Sequence, residues 1–189
     1  MAESSVNLRE GILETGARIL ADFGFGRLTQ PQVSKELGIT QSRLTYYFPK
    51  REDLLIGVVD YASNLIAKEV YKRASGGSMV ASSSKLFSLI NWIVCDRKRT
   101  NLILNIFFES NESPELRERI KKIILKHQSI VGTALGKKAN HPDAAIVMAV
   151  IWGLGIQHYI LENERSDNET KRILKRFEKW LTVIEANLN

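Results

Sequence analysis

Gly38 to Asp53 reads GITQSRLTYYFPKRED, a run in which hydrogen-bonding and aromatic side chains crowd together. Glutamine and arginine can each pair with a purine edge, the first with adenine and the second with guanine, while serine and threonine serve base or phosphate. Tyrosine hydroxyls donate to phosphate oxygens, and a ring can rest on a thymine methyl or a sugar. At about 100° per residue, a helix from Thr40 to Phe48 must turn Leu44 and Phe48 inward. Ser42 and Tyr46 then face outward, flanked by Arg43 and Thr45. Gln41 stands at the N-terminal end, and Tyr47 lies nearer the buried edge. Arg51 adds a cation at the start of the next helix, whose positive end also attracts phosphate. Thr29 and Gln30 open the preceding helix. The candidate contacts to double-stranded DNA are therefore Thr29, Gln30, Gln41, Ser42, Arg43, Thr45, Tyr46, Tyr47 and Arg51.

The elements that must hold these residues follow from period and punctuation. Leu8, Ile12, Ile19, Leu20 and Phe23 share a helical face that Gly24 and Gly26 end. Thr29-Gln30-Pro31-Gln32 has the form of a capping box, with proline in the tolerant first turn. Val33 and Leu37 give this second helix its apolar side, and Gly38 closes it. Thr40 caps a third helix, which Pro49 interrupts. A longer helix begins near Glu52 with acids in its first turn. It buries Leu54, Leu55, Val58, Ala62, Leu65 and Ile66, then fades into the Gly/Ser-rich stretch Ala74 to Ser84. Further helices are expected at about 84–96, 98–110, 114–136, 142–163 and 168–187, with Pro114 and Pro142 at helix starts. Ser166-Asp167-Asn168-Glu169 forms a second capping box. The fold class is all-α: a three-helix, helix-turn-helix domain over residues 1–51, then a helical bundle over 52–189. A helix, a tight glycine turn and a second helix with a polar outer face is a design that lays the second helix in the major groove.

Bulk composition sets limits without choosing the partner. At 189 residues with 44% apolar side chains, the chain can bury a real core. The net charge of +6 favours an anionic partner. Residues 1–51 hold only seven cations against five acids, however, so placement carries the nucleic-acid reading. One cysteine, Cys95, excludes an intrachain disulfide and suits a reducing cytoplasm. No basic-then-apolar leader opens the chain. Ala144 to Leu161 is the most apolar run; Gln157 and His158 near its end make it a buried helix rather than a membrane span.

Other chemistries find no constellation. His127, His141, His158 and Cys95 lack metal-ligand spacing, and His158 with Glu162 is a lone pair one turn apart. His141 precedes Pro142 and caps a helix. No nucleophile has a partner set, and Gly24 and Gly26 lack the strand that a phosphate-cradling loop needs. No enzyme, metal or cofactor is expected. Arg117 to Lys126 is a basic amphipathic segment that reads as a solvated helix face.

The first helix ending at Gly26, then LTQPQVSKELGIT, then QSRLTYYFPKREDLL together resemble the DNA-binding domain of the tetracycline-repressor (TetR) family of bacterial transcription regulators. The aromatic pair and phenylalanine, followed by a basic residue, an acid and DLL, carry most of that resemblance. Thr45 stands where many members have tyrosine, and Tyr46 follows one place along. The resemblance implies a homodimer joined through the last two helices. It also implies a small-molecule effector whose binding changes the spacing of two DNA heads on a palindromic operator, most simply as a repressor. A different class of control, by a protein partner through the C-terminal bundle, fits the same helices.

The C-terminal helices speak to the dimer directly. Ile173, Phe177, Trp180, Leu181, Ile184 and Leu188 form one stripe of the last helix. The preceding helix is apolar nearly all round, and Gly153 and Gly155 would admit a close neighbour. The expected interface is Ile151, Gly155, Tyr159, Phe177, Trp180, Leu181 and Ile184, although a central helix buried in one subunit fits the same pattern. For a ligand cavity the candidates are Phe87, Trp92, Phe107, Phe108, His127, Trp152 and Gln157, with Cys95, His158 and Tyr159 as further wall residues and Asn91 and Asn105 as polar groups that could orient a ligand or equally face solvent. Aromatic residues at such spacing also build ordinary core.

Overall fold

The structure, a computed structural model, describes the backbone of residues 2–74, 83–111, 113–161 and 167–187, and the side chains of 7–73, 88–111, 113–161 and 168–180. The described residues form nine α-helices and one short 3-10 turn, with no strand. These are α1 (Ala2–Phe23), α2 (Gln30–Leu37), α3 (Gln41–Tyr47), α4 (Arg51–Ala74), α5 (Ser83–Val94), α6 (Arg97–Glu109), α7 (Pro114–Ala134), α8 (Pro142–Ile160) and α9 (Asp167–Asn187). Residues 75–82 of the Gly/Ser-rich stretch, and Ser166 of the second capping box, lie outside the described residues. So do the side chains of Phe87, Leu181, Ile184 and Leu188.

Two compact units divide the chain. One comprises Met1–Lys68 and Asn101–Ile124, the other Glu69–Thr100 and Leu125–Asn189. Along the sequence, α4, α6 and α7 each supply residues to both.

The first unit closes around Ile12, Ile19, Leu20, Leu28, Val33, Leu44, Leu54 and Val58, none of them exposed. α1 stops at Phe23 because Gly24 turns to φ 74°; Gly26 falls within the 3-10 turn that follows. Gly38 takes φ 64° after α2, a left-handed conformation that glycine adopts without a Cβ clash. Gly57 is bare for a different reason. A Cβ there would stand 2.9 Å from the Phe48 ring and 3.0 Å from Leu13, so its absence makes room for the residue that ends α3.

In the second unit, Ile90, Val94, Val147, Ile151, Leu154, Leu174 and Phe177 make a separate core in which α5 packs on α8 and α9. His158 of α8 and Thr170 of α9, both buried, meet at 3.3 Å. His141 caps α8 by accepting from the Asp143 amide at 3.2 Å. By length and composition α8 could cross a membrane, with a mean hydropathy of 1.4. Its Ala144, Val147, Met148, Ile151, Leu154, Gly155 and His158 are instead buried within this unit.

Candidate nucleic-acid interface

Helix α3 is only seven residues long, so its placement depends on its ends and two anchors. Thr40 caps the start, its hydroxyl oxygen accepting from the Arg43 amide at 3.3 Å. Leu44 is fully buried and Phe48 is 3% exposed, so one side of the helix is committed to the core. The opposite side is largely exposed among the described residues. Gln41, Ser42 and Arg43 are exposed, and their side chains form no hydrogen bond or ion pair among the described residues. Tyr46 is 81% exposed, an unusual position for an aromatic ring in water. The half-buried Tyr47 meets it edge-on, with ring centroids 5.2 Å apart. Arg9 lies over the Phe48 ring at 5.3 Å.

The remaining expected contacts are differently employed. Thr29 caps α2, its oxygen accepting from the Gln32 amide at 3.3 Å, which leaves its hydroxyl proton to donate outward. The reciprocal half of the expected capping box is missing, because the Gln32 side chain donates to Glu36 at 3.0 Å instead. Gln30 is half-buried, and its amide nitrogen donates to the Phe48 carbonyl at 2.6 Å, with the Pro49 carbonyl at 3.5 Å. That side chain braces the end of α3. Thr45 turns its hydroxyl back onto the Ser42 carbonyl at 3.1 Å. Arg51, at the start of α4, is half-exposed and pairs with Glu109 at 3.0 Å. Exposed Lys50 stands beside it. The Glu109 contact had no sequence signal, since 58 positions separate the partners.

The expected dimer residues divide. Trp180 is 58% exposed. Ile151 and Phe177, by contrast, sit in the second unit's own core, and Gly155 is buried where a Cβ would stand 3.2 Å from the Thr100 hydroxyl. Tyr159 is half-buried under Arg97, whose guanidinium lies 5.5 Å from its ring. The surface that α8 leaves open is the opposite one. Ile146, Ala149, Gly153, Gln157 and Ile160 follow each other at spacings of three and four, with Ile146 55% and Ile160 67% exposed. An added Cβ at Gly153 would meet nothing within 4 Å.

The cavity candidates are also redistributed. Phe107 and the largely exposed Phe108 lie on the surface of the first unit. Two guanidinium groups lie over the Trp92 ring, Arg99 at 3.8 Å and Arg73 at 4.3 Å from its centroid. Burial lowers the Arg99 pKa from its usual value, and Asp96 at 2.9 Å counters that shift. His127, Trp152, Cys95 and Asn91 are half-buried, and Gln157 is exposed. Asn105 packs in the first unit, donating to the Asn101 carbonyl at 2.8 Å. An open groove of about 480 Å³ in the second unit is lined by Ser88 and Asn91 of α5 and by Asn168, Lys171, Arg172, Leu174, Lys175 and Glu178 of α9.

Comparison with known proteins agrees with this geometry. Residues 12–58 match the family described as bacterial regulatory proteins, tetR family. Among curated proteins none matches in sequence. A proposed transcriptional regulator from Saccharomonospora viridis, solved in complex with choline, is 21% identical with a TM-score of 0.73, over 92% of this chain and 96% of that one. A member of the TetR family from Streptomyces coelicolor A3 is 19% identical with a TM-score of 0.69, over 89% and 96%. The multidrug binding protein EbrR, complexed with imidazole, is 19% identical with a TM-score of 0.67, over 89% and 93%.

Proposed function

We propose that this chain, whose residues 12–58 match the tetR family of bacterial regulatory proteins, is a ligand-responsive homodimeric repressor that binds a palindromic operator in the cytoplasm. One observation carries the DNA reading: Leu44 and Phe48 are locked inward while Gln41, Ser42, Arg43 and Tyr46 stand exposed on the same short helix. Residues 1–51 form the DNA-reading part and 52–189 the ligand and dimer part. Arg43 and Gln41 reach base edges, and Ser42, Tyr46, Tyr47, Thr29 and Arg51 hold phosphates and sugars. Thr45 lines the same face, and Gln30 supports it from behind.

Two copies are needed because one seven-residue helix touches too few base pairs for strong discrimination. The second copy seats on the open stripe of α8, Ile146, Ala149, Gly153 and Ile160, together with Trp180. A small-molecule effector is supported by the choline and imidazole held by two neighbours of the same fold. Such a ligand acts only if it binds the non-operator arrangement of the two heads more tightly. The exposed Phe107 and Phe108 favour a second reading, control by a protein partner that covers them.

Selection of bound fragments from random duplexes tests the main reading. A palindromic consensus with half-sites about one helical turn apart is expected. Recovery of no consensus, or of single half-sites, would overturn it. A thermal-shift screen then separates the two modes of control, since saturable stabilisation by a metabolite requires a ligand site.

A further inference from the structure

Arg51 is placed to meet a phosphate, yet it already has an anionic partner. Its Nη1 donates to Glu109 Oε1 at 3.0 Å, with the Arg51 side chain 50% and the Glu109 side chain 21% exposed. The two acids nearest Arg51 in sequence are otherwise occupied. Asp53 accepts from the Lys50 amide at 2.9 Å, and Glu52 accepts from the Ser113 hydroxyl. Glu109 is also the last residue of α6, where unpaired carbonyls add partial negative charge that holds a cation. Gln30 pins the Phe48 and Pro49 carbonyls, so the chain entering α4 is fixed from the other side.

We propose that Glu109 is an affinity-setting residue that holds the Arg51 guanidinium away from the DNA backbone, so that binding requires exchange of this carboxylate for a phosphate. This inference rests on the DNA-binding reading above. The exchange involves no base edge, so Glu109 weakens operator and random DNA by the same factor. The pair is partly solvated, and breaking it changes the dissociation constant on the order of two- to five-fold.

The test measures fluorescence anisotropy of labelled duplexes, one mixed-sequence and one carrying the selected operator, with four full-length proteins: wild type, Glu109→Gln, Arg51→Gln and the double variant. Circular dichroism establishes that each is folded. Glu109→Gln is expected to tighten binding about two- to five-fold on both duplexes when Arg51 is present, and to change it little when residue 51 is glutamine. Equal tightening in both backgrounds would overturn the proposal, since Glu109 would then merely repel phosphate through space. Weaker binding by Glu109→Gln would overturn it too, because Glu109 would then be orienting Arg51 toward the phosphate. If none of the four proteins binds either duplex, the DNA reading itself fails.

Discussion

Helices α3 and α8 each turn one face inward and leave the other exposed, but the exposed faces are chemical opposites. α3 presents Gln41, Ser42, Arg43 and Tyr46, side chains that water solvates well and that a polyanion can engage. α8 presents Ile146, Ala149, Gly153 and Ile160, a strip that water does not favour and that a second apolar surface would cover. The first face gains specificity from hydrogen-bond geometry, the second gains affinity from area removed from water. One chain thus carries two unfinished surfaces with different solvents in mind, and experiments can ask whether each is unfinished in the way its chemistry says.

The largest effect separates the inner face of α3 from its outer face. Leu44 is completely buried, so Leu44→Ala should destabilise the fold by about 2–5 kcal/mol in urea melts. Tyr46→Ala should stay within about 0.5 kcal/mol of wild type while weakening DNA binding. If the two variants lose equal stability, Tyr46 is part of the core's support and the contrast between the faces disappears.

Next in size is the outer face of α8. Ile160→Glu should weaken self-association by about 30-fold or more, as loss of a 2 kcal/mol contact would, with helicity unchanged. Ile151→Glu, on the inner face, should instead unfold the second unit. Light scattering and circular dichroism on the pair distinguish the outcomes. Should Ile160→Glu leave the oligomeric state untouched, the apolar strip belongs to some other partner.

These two helices also show what the sequence could reveal. In α3 only Leu44 and Phe48 are four apart and apolar among polar neighbours, so the pattern carries both the helix and its rotation. The buried side lies where the spacing says. In α8 apolar residues surround the axis, so the pattern announces a helix but no phase, and either side could be the buried one. Ile151 and Gly155 were expected at an interface, yet they face their own core, half a turn from the open strip. Most helix starts were legible because Thr29, Thr40, Pro114 and His141 are local signals. Arg51 with Glu109, and Arg73 over Trp92, were not, since long-range pairings leave no period in the chain.

Arg43, on the outward face of α3, and Arg51, at the start of α4, should fail differently. Arg43→Ala is expected to relax preference at particular base pairs by about 1–3 kcal/mol if it reads guanine. Arg51→Ala should weaken operator and random DNA alike and lower the magnitude of the salt slope by about 0.9. Competition titrations with single-base operator variants measure the first, and salt titrations the second. Equal loss on all sequences for Arg43→Ala would assign it to phosphate and leave base reading to Gln41 and its neighbours.

The smallest effect concerns Gln30, which belongs to the contact surface by sequence and to its scaffold by geometry. Its amide already donates to the Phe48 carbonyl at 2.6 Å. A direct phosphate contact would need its second amide proton, because a phosphate oxygen cannot donate to the glutamine carbonyl. Replacing Gln30 with alanine removes the short hydrogen bond to Phe48 and the long one to Pro49, a loss of about 0.5–1.5 kcal/mol in stability, most of it from the short one. It also frees the end of α3 to shift, so operator binding should fall more than random binding and the ratio between them should narrow. A phosphate contact predicts instead that the ratio holds and the fold is unaffected. Urea melts and the two binding constants together decide whether the polar face of α3 ends at its own side chains or extends to the residue that holds it in place.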